Sequence, residues 1–472
     1  MSLAASPRSA PPAALRSADH TAIRTATRTG PTREQRGLAG TAETVFLILT
    51  LLLMSGALGP FYVDSTADKE LSEGNPVFQL LSGTVYVIAA ALLVGRLGEA
   101  ARLARQNWPL VALVGLALLS ATWSATPEVT FRRATALALT LMLAFCLACR
   151  LPPARFLRLL GWAMLIVAVG SIVAALAVPS IGKHTVANFA GLWRGLLLHK
   201  NSLGRVMALA IIVFWFLRRD RSSWQSLSWI GIPLAALPLF MSDSRTAWLS
   251  LITAMGSLPL AYLLGRRRMT RAVRVLGVGL AVVLGAVFVG AVLDPILQLS
   301  GRDLTLTGRT TLWAMAIEAG WQNPLLGAGY RSFWTETGAA AVYESLSYRS
   351  GLMGNGHNGY LDVWLELGFV GLGMFVVVVA IALQRAIAVL VTSGRPEHAW
   401  YALIVVFLLV YSVAERVLLQ HGDIAWLIFS VNFLYLGRWA AQRKAALRRA
   451  ARAWPAQRPP FGMPPYRMEA PR

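Results

Sequence analysis

Charge is what this chain has least of. Only 14% of its 472 residues are Asp, Glu, Lys or Arg, while 56% are hydrophobic. A soluble domain of this length would carry about one quarter charged residues, so a soluble globular protein is excluded. Acid is scarcer than base: 22 Asp and Glu stand against 44 Lys and Arg, a formal net charge of +22. There are two cysteines, Cys146 and Cys149, one helical turn apart inside an apolar run. A redox or metal-binding pair needs an exposed, electropositive setting, so they read as small apolar residues of a membrane helix. No Asp-x-Asp pair is present, which argues against a metal-dependent nucleotide-sugar enzyme. No internal repeat is visible, which argues against a carrier built from repeated halves. No short apolar core with a cleavage site opens the chain.

What is abundant is the long apolar run, the mark of a transmembrane helix. Twelve candidate spans emerge: Thr44–Gly59, Val77–Gly95, Pro109–Trp123, Ala134–Cys149, Leu159–Val178, Leu203–Leu217, Leu227–Met241, Ala247–Leu264, Val273–Leu293, Tyr360–Leu383, Trp400–Val413 and Ile424–Leu436. The expected fold is therefore all-α, a polytopic membrane bundle of about 12 helices. Residues 1–42, rich in Ala, Ser, Thr, Pro and Arg, are expected to be a disordered basic tail. Residues 43–437 form the transmembrane domain, and 438–472 a second basic tail.

The basic excess has two explanations, nucleic acid or membrane topology. With the N-terminus inside, most of the Lys and Arg fall in the tails and in every second loop, "RRDR" and "GRRRMTRAVR" being the clearest. The first outside loop, "DSTADKELSEGN", is acidic. That alternation is the positive-inside rule, and no nucleic-acid partner is needed. Both termini are then cytoplasmic. Residues 294–359 form one large outside loop, and loops of that length are usually functional. Its "GRTTLWAMAIEAGWQNP" reads as an amphipathic helix ending near Asn323-Pro324, and the loop is expected to fold back over the outer mouth of the bundle.

Polar residues collect on that outside face. "RGLLLHKNSLGR" holds Arg194, His199, Lys200 and Asn201; "SDSRTAWL" holds Asp243 and Arg245; the large loop holds Arg309, Tyr330 and Arg331; "GNGHNGY" holds His357, Asn358 and Tyr360; "SVAERV" holds Glu415. Charge near membrane depth is usually functional or paired. Arginine forks match phosphate oxygens, so the cluster suits a lipid-linked phosphate or diphosphate. A neutral histidine there can take a proton from an attacking hydroxyl, while cations stabilise the departing diphosphate. His357 is the candidate base. Arg245, Lys200, Arg194 and Arg309 are the candidate diphosphate ligands, with His199, Asn201, Asn358, Tyr360, Arg331 and Glu415 in support. Blander roles compete: Arg245 in a salt bridge to Asp243, Arg309 as a helix cap, Glu415 paired with an arginine, His357 as a loop cap. Trp313, Trp321 and Trp334 are candidates for stacking on sugars. No metal and no cofactor is called for.

"HKNSLG", "SRTAWL", "GRTTLWAMAIEAGWQNPLLGAGYRSFW" and "HNGYLDVWLELGFVGL" resemble the O-antigen ligase and polysaccharide polymerase superfamily. The most specific element is His357-Asn358, nine residues, then Gly368-x-x-Gly371; Arg245-x-x-x-Leu249 is a second. The resemblance covers roughly Val178 to Glu415. It implies a glycosyltransferase of the inner (cytoplasmic) membrane with a periplasmic site. A glycan on undecaprenyl diphosphate passes to an acceptor sugar, in ligases on lipid A core and in polymerases on another lipid-linked repeat. "HKNSLG" and "GRTTLW" look closer to the exopolysaccharide polymerase type. Ligase is the alternative, a flippase or other transporter the rival class, and a glycan-binding scaffold a third.

Overall fold

The computed structural model describes residues 38–61, 75–185, 189–220, 222–264, 305–335, 337–340, 342 and 355–453. Thirteen helices carry the fold: α1 (Leu38–Ser55), α2 (Pro76–Val94), α3 (Leu97–Gln106), α4 (Trp108–Leu119), α5 (Pro127–Arg150), α6 (Pro153–Ala177), α7 (Lys200–Leu217), α8 (Trp224–Met241), α9 (Arg245–Leu264), α10 (Thr305–Gly320), α11 (Gly359–Ser393), α12 (Ala399–Tyr411) and α13 (Ile424–Ala453). A single turn, Pro179–Gly182, follows α6. No strand occurs among the described residues. The described residues up to Arg438 belong to one compact unit, and the end of α13 from Trp439 belongs to a second.

Seven helices are long and apolar enough to cross a membrane: α2, α5, α6, α7, α8, α11 and α13. Apolar residues such as Leu80, Val87 and Phe240 point outward, as they do where lipid is the solvent. Eleven of the twelve expected spans coincide with a helix, several of them too short to cross unaided; Val273–Leu293 lies outside the described residues. The amphipathic α3 was not expected. It reads as a loop by hydropathy because Glu99, Arg102 and Arg105 on its polar face break up the apolar run.

Local chemistry sets the helix starts. Asn75 Oδ1 accepts from the amides of Val77 and Phe78 at 2.8 and 3.1 Å, with Pro76 at the first position. Asn358 Oδ1 accepts from Tyr360 and Leu361 at 3.0 and 3.1 Å. Asp423 Oδ1 accepts from Ala425 and Trp426 at 2.8 and 3.3 Å. Each satisfies amides that the first turn leaves without a helical partner.

The two ends of the first unit differ in chemistry. One end gathers Arg150 on Glu43 (2.8 Å), Arg158 on Asp220 (2.7 Å), Arg385 on Asn107 (2.7 Å) and Arg438 on Glu99 (2.8 Å). These come from the segments expected on the basic side. The other end gathers the first turns of α7, α9, α11 and α13 with the last turn of α12. Tyr411 Oη donates to Asn201 O (3.0 Å), Gly359 N to Ser412 O (2.8 Å), and Arg205 pairs with Asp423 (2.6 Å). Gly204 lets α7 and α9 approach here, since a Cβ on it would lie 2.4 Å from Ser244 Cβ.

The helix α11 is broken. Gly368 has φ 63° and ψ −168°, a conformation that only glycine adopts readily. The break strips partners from helix backbone groups, and residues 324–329 supply them. Ala328 and Gly329 amides donate to Leu365 and Glu366 carbonyls, both at 2.9 Å; Phe369 and Val370 amides donate to Pro324 and Leu325 carbonyls at 2.8 and 3.1 Å. Residues 324–329, from the segment expected to form the large loop, thus pack onto a seam inside α11. There that segment builds a small core of Leu312, Ala316, Phe333, Trp334, Trp364 and Leu365. A Cβ on Gly368 would sit 2.0 Å from Leu325 O. Gly368→Ala is therefore expected to lower the melting temperature of the purified protein by several degrees and cut its membrane abundance. Gly373→Ala, with nothing within 4 Å of its Cβ, is the control and changes neither.

Candidate functional site

The site grows from the turn before α11. Asn355 Oδ1 accepts from His357 N at 2.9 Å, and His357 takes φ 51°, a left-handed conformation uncommon outside glycine. Two tryptophans and an acid fix that turn. Trp313 Nε1 donates to Gly356 O (2.7 Å), while Asp362 Oδ1 accepts from Gly356 N (2.9 Å) and Trp334 Nε1 (2.8 Å). Trp313 and Trp334 therefore hold the backbone in this structure. Trp321 packs edge-on to Trp364 with ring centroids 5.7 Å apart.

So held, the His357 side chain meets Glu415: Nδ1 lies 3.4 Å from Oε2. The other oxygen of Glu415 accepts from Asn201 Nδ2 at 2.7 Å. Glu415 is thus a bridge between α7 and the turn before α11. His357 keeps 40% of its side chain exposed and Glu415 only 14%. A sheltered carboxylate behind an accessible imidazole is the arrangement that orients a general base.

Cations lie at the same end of the bundle. Lys200, adjacent to Asn201, directs Nζ to Asp243 O at 3.1 Å and lies 5.5 Å from the Phe189 ring centroid. Two residues beyond Asp243, Arg245 opens α9. It is exposed and forms no ion pair with Asp243 or any other described residue. The N-termini of α7, α9 and α11 add partial positive charge to the same end. His199 caps α7, its Nδ1 accepting from Asn201 N at 3.2 Å, and its ring sits 5.3 Å from His184. His184 accepts from Lys200 N (3.0 Å). Burial, then the charges of His199, Arg194 and Lys200, push its pKa down to about 4, so His184 is a neutral acceptor at ordinary pH.

Other candidates stand apart from this cluster. Arg194 is buried, with Nε and Nη2 on the carbonyls of Ile181 and Ser180 at 2.9 and 3.0 Å; its guanidinium closes the single turn after α6. Tyr360 Oη points inward to Leu409 O (2.7 Å). Asn358 is the cap of α11. Arg331 faces Gln420, on the far side of the α12–α13 loop. Arg309 lies on α10, and its side chain falls outside the described residues.

One buried polar group lies outside the candidate site residues: Asp362, Glu366 and Arg416. Arg416 grips Glu366 with both Nη atoms, the second at 2.7 Å, and its Nη1 lies 3.7 Å from Asp362 Oδ2. All three are buried. Burial opposes the charge on Arg416, but Glu366 and Asp362 more than offset it and raise its pKa. The signal was there: two acids four residues apart in the apolar "YLDVWLELGF" demand a buried partner.

These features define a class, a polytopic helical membrane protein with an accessible imidazole, a sheltered carboxylate and cations at one end of the bundle. Two similarities to known proteins bear on it. Residues 230–376 match the O-antigen ligase family model, a stretch that includes Arg245, Arg309, Arg331, His357, Gly368 and Gly371. The chain is also 30% identical over 213 residues to the exopolysaccharide production protein ExoQ of Rhizobium meliloti (strain 1021). That alignment covers 42% of this chain and 48% of the relative, so the chain spans about half the length of the curated relative it matches. Both matches support the resemblance to the O-antigen ligase and polysaccharide polymerase superfamily.

The buried ion pair yields a prediction. Leaving one charge of such a pair without its partner costs about 3–5 kcal/mol. Arg416→Met is expected to destabilise the protein by that order in a denaturation series, whereas Arg416→Met with Glu366→Met recovers much of the loss. Equal loss in both would show that the pairing is not what Arg416 contributes.

Proposed function

We propose that this protein is a membrane-embedded glycosyltransferase. It moves a glycan from an undecaprenyl-diphosphate carrier to an acceptor sugar hydroxyl on the periplasmic face, as a polymerase of exopolysaccharide or O-antigen repeat units. The observation that carries the reading is Glu415, which brings His357 and Asn201 together from opposite sides, while Lys200 and Arg245 open α7 and α9 at the same end. In this mechanism His357, with its Nδ1–H held by Glu415, takes the acceptor hydroxyl proton at Nε2. The acceptor oxygen forms its bond to the anomeric carbon as the bond to the diphosphate oxygen breaks. The diphosphate leaves with the electron pair, and Lys200 and Arg245 stabilise its charge. The family description favours one second reading, ligase transfer of a finished chain to lipid A core.

A transporter would leave broken-helix backbone open to its cargo. Here the backbone groups at the Gly368 break are taken up by residues 324–329, which supports an enzyme over a carrier. The positive-inside count and the gathering of basic residues at the opposite end support cytoplasmic termini and an inner-membrane location.

His357→Ala is expected to abolish glycan output while membrane abundance holds. Glu415→Gln should lower turnover about 10²-fold, the low end of what a positioned base contributes, and Arg245→Ala should lower it strongly. Glycan gels of a strain complemented with each variant provide the measurement; full-length polymer from His357→Ala would defeat the assignment. In the deletion strain, a single capped repeat indicates a polymerase. Accumulated lipid-linked chains indicate a ligase.

A further inference from the structure

The α12–α13 loop has two faces. One carries Glu415 toward His357. The other, five residues on, faces a second group of cations. Arg331 ends the segment that seals the break in α11, at φ 60°. Its backbone carbonyl accepts from Arg133 Nη1 at 2.7 Å, which draws α5 and the neighbouring Arg132 alongside. Its own Nη1 reaches only the neutral Gln420 Oε1, at 3.4 Å. No described carboxylate lies within ion-pair distance of Arg331. The acids behind it, Glu366 and Asp362, are engaged by Arg416; Glu128, one turn earlier on α5, forms no ion pair among the described residues.

The surroundings confirm an excess of positive charge. Burial first, then Arg416, bring the pKa of Arg331 down to about 10, against the pull of Glu366. His421, 3.4 Å from Tyr330 Oη, is pushed well below its usual range by burial and by Arg331, Arg133, Arg416 and Arg132; it stays neutral. A half-buried guanidinium among like charges is the electrostatic form of an anion seat. Leu119 at the end of α4, Phe131 on α5 and Leu326 in the sealing segment are exposed apolar residues of the elements that meet here.

We propose that Arg331, with Arg133 and Arg132 beside it, holds the phosphate group of a second polyprenyl-linked substrate, the acceptor, whose tail lies along Leu119, Phe131 and Leu326. This rests on the reading of the protein as a lipid-diphosphate transferase and sharpens it. Polymerisation joins two carrier-linked glycans, so two carrier headgroups must occupy one chain. Lys200 and Arg245 take the donor; Arg331 takes the acceptor, across the α12–α13 loop.

The test is the number of glycan-free undecaprenyl diphosphate molecules bound per full-length chain in phosphatidylcholine nanodiscs, counted by native mass spectrometry. Wild type is expected to bind two. Arg331→Asn, chosen because Asn tolerates positive φ, should bind one, and so should Arg245→Ala. Arg133→Gln should also bind one, and it serves in place of Arg331→Asn if that variant melts early. Wild type binding one molecule, lost in Arg245→Ala and retained in Arg331→Asn, overturns the second site and leaves the transferase reading standing. No binding, or binding indifferent to every variant, overturns both. Displacement from the Arg331 site by excess phosphatidylglycerol or inorganic phosphate shows a general anion seat and overturns the acceptor assignment.

Discussion

The grip of Arg416 on Glu366 is the contact on which the site depends. It fixes the loop after α12 to the first segment of α11, deep among apolar side chains. Glu415 precedes Arg416 by one residue, so that anchor sets where Glu415 can reach. The other wall is set by Asp362, which holds the Gly356 amide and thereby the turn that carries His357. One buried trio thus positions both members of the His357–Glu415 pair. Breaking it would disturb the His357–Glu415 pair.

The break in α11 serves the same end. A continuous helix would leave residues 324–329 without backbone partners. The left-handed Gly368 opens four hydrogen bonds to them, and those bonds carry Tyr330 and Arg331 against the α12–α13 loop. Tyr330 Oη then donates to Leu419 O at 2.5 Å. The loop is held from α7 by Asn201, from α11 by Glu366 and from the long loop by Tyr330. A hub of this kind brings together charged residues that are far apart in the chain.

Much of this was legible in the residues. Apolar runs marked the helices, but not the caps Asn75 and Asn358 that start two of them. His357 and Gly368 formed a spaced motif, but its physical meaning was not visible, because the partner of a helix break is a tertiary matter. Arg194 shows the opposite limit. Its position near a helix end suggested a phosphate ligand, yet it serves the carbonyls of Ser180 and Ile181, which only folding brings within reach. Glu415 was expected either to serve the site or to pair with an arginine; its bonds to Asn201 and His357 depend on the crossing of α7 and α12. Val273–Leu293 and the side chain of Arg309 lie outside the described residues.

The central claim is that the imidazole, its carboxylate and the cations share one aqueous face, outside the membrane. Labelling of single cysteines by a membrane-impermeant maleimide in intact cells tests it most directly, since the native Cys146 and Cys149 are buried. Arg245→Cys and Asn355→Cys should both react from outside, and Arg158→Cys only after the membrane is opened. Reaction of positions 245 and 355 from opposite faces, or of 158 from outside, would contradict the account.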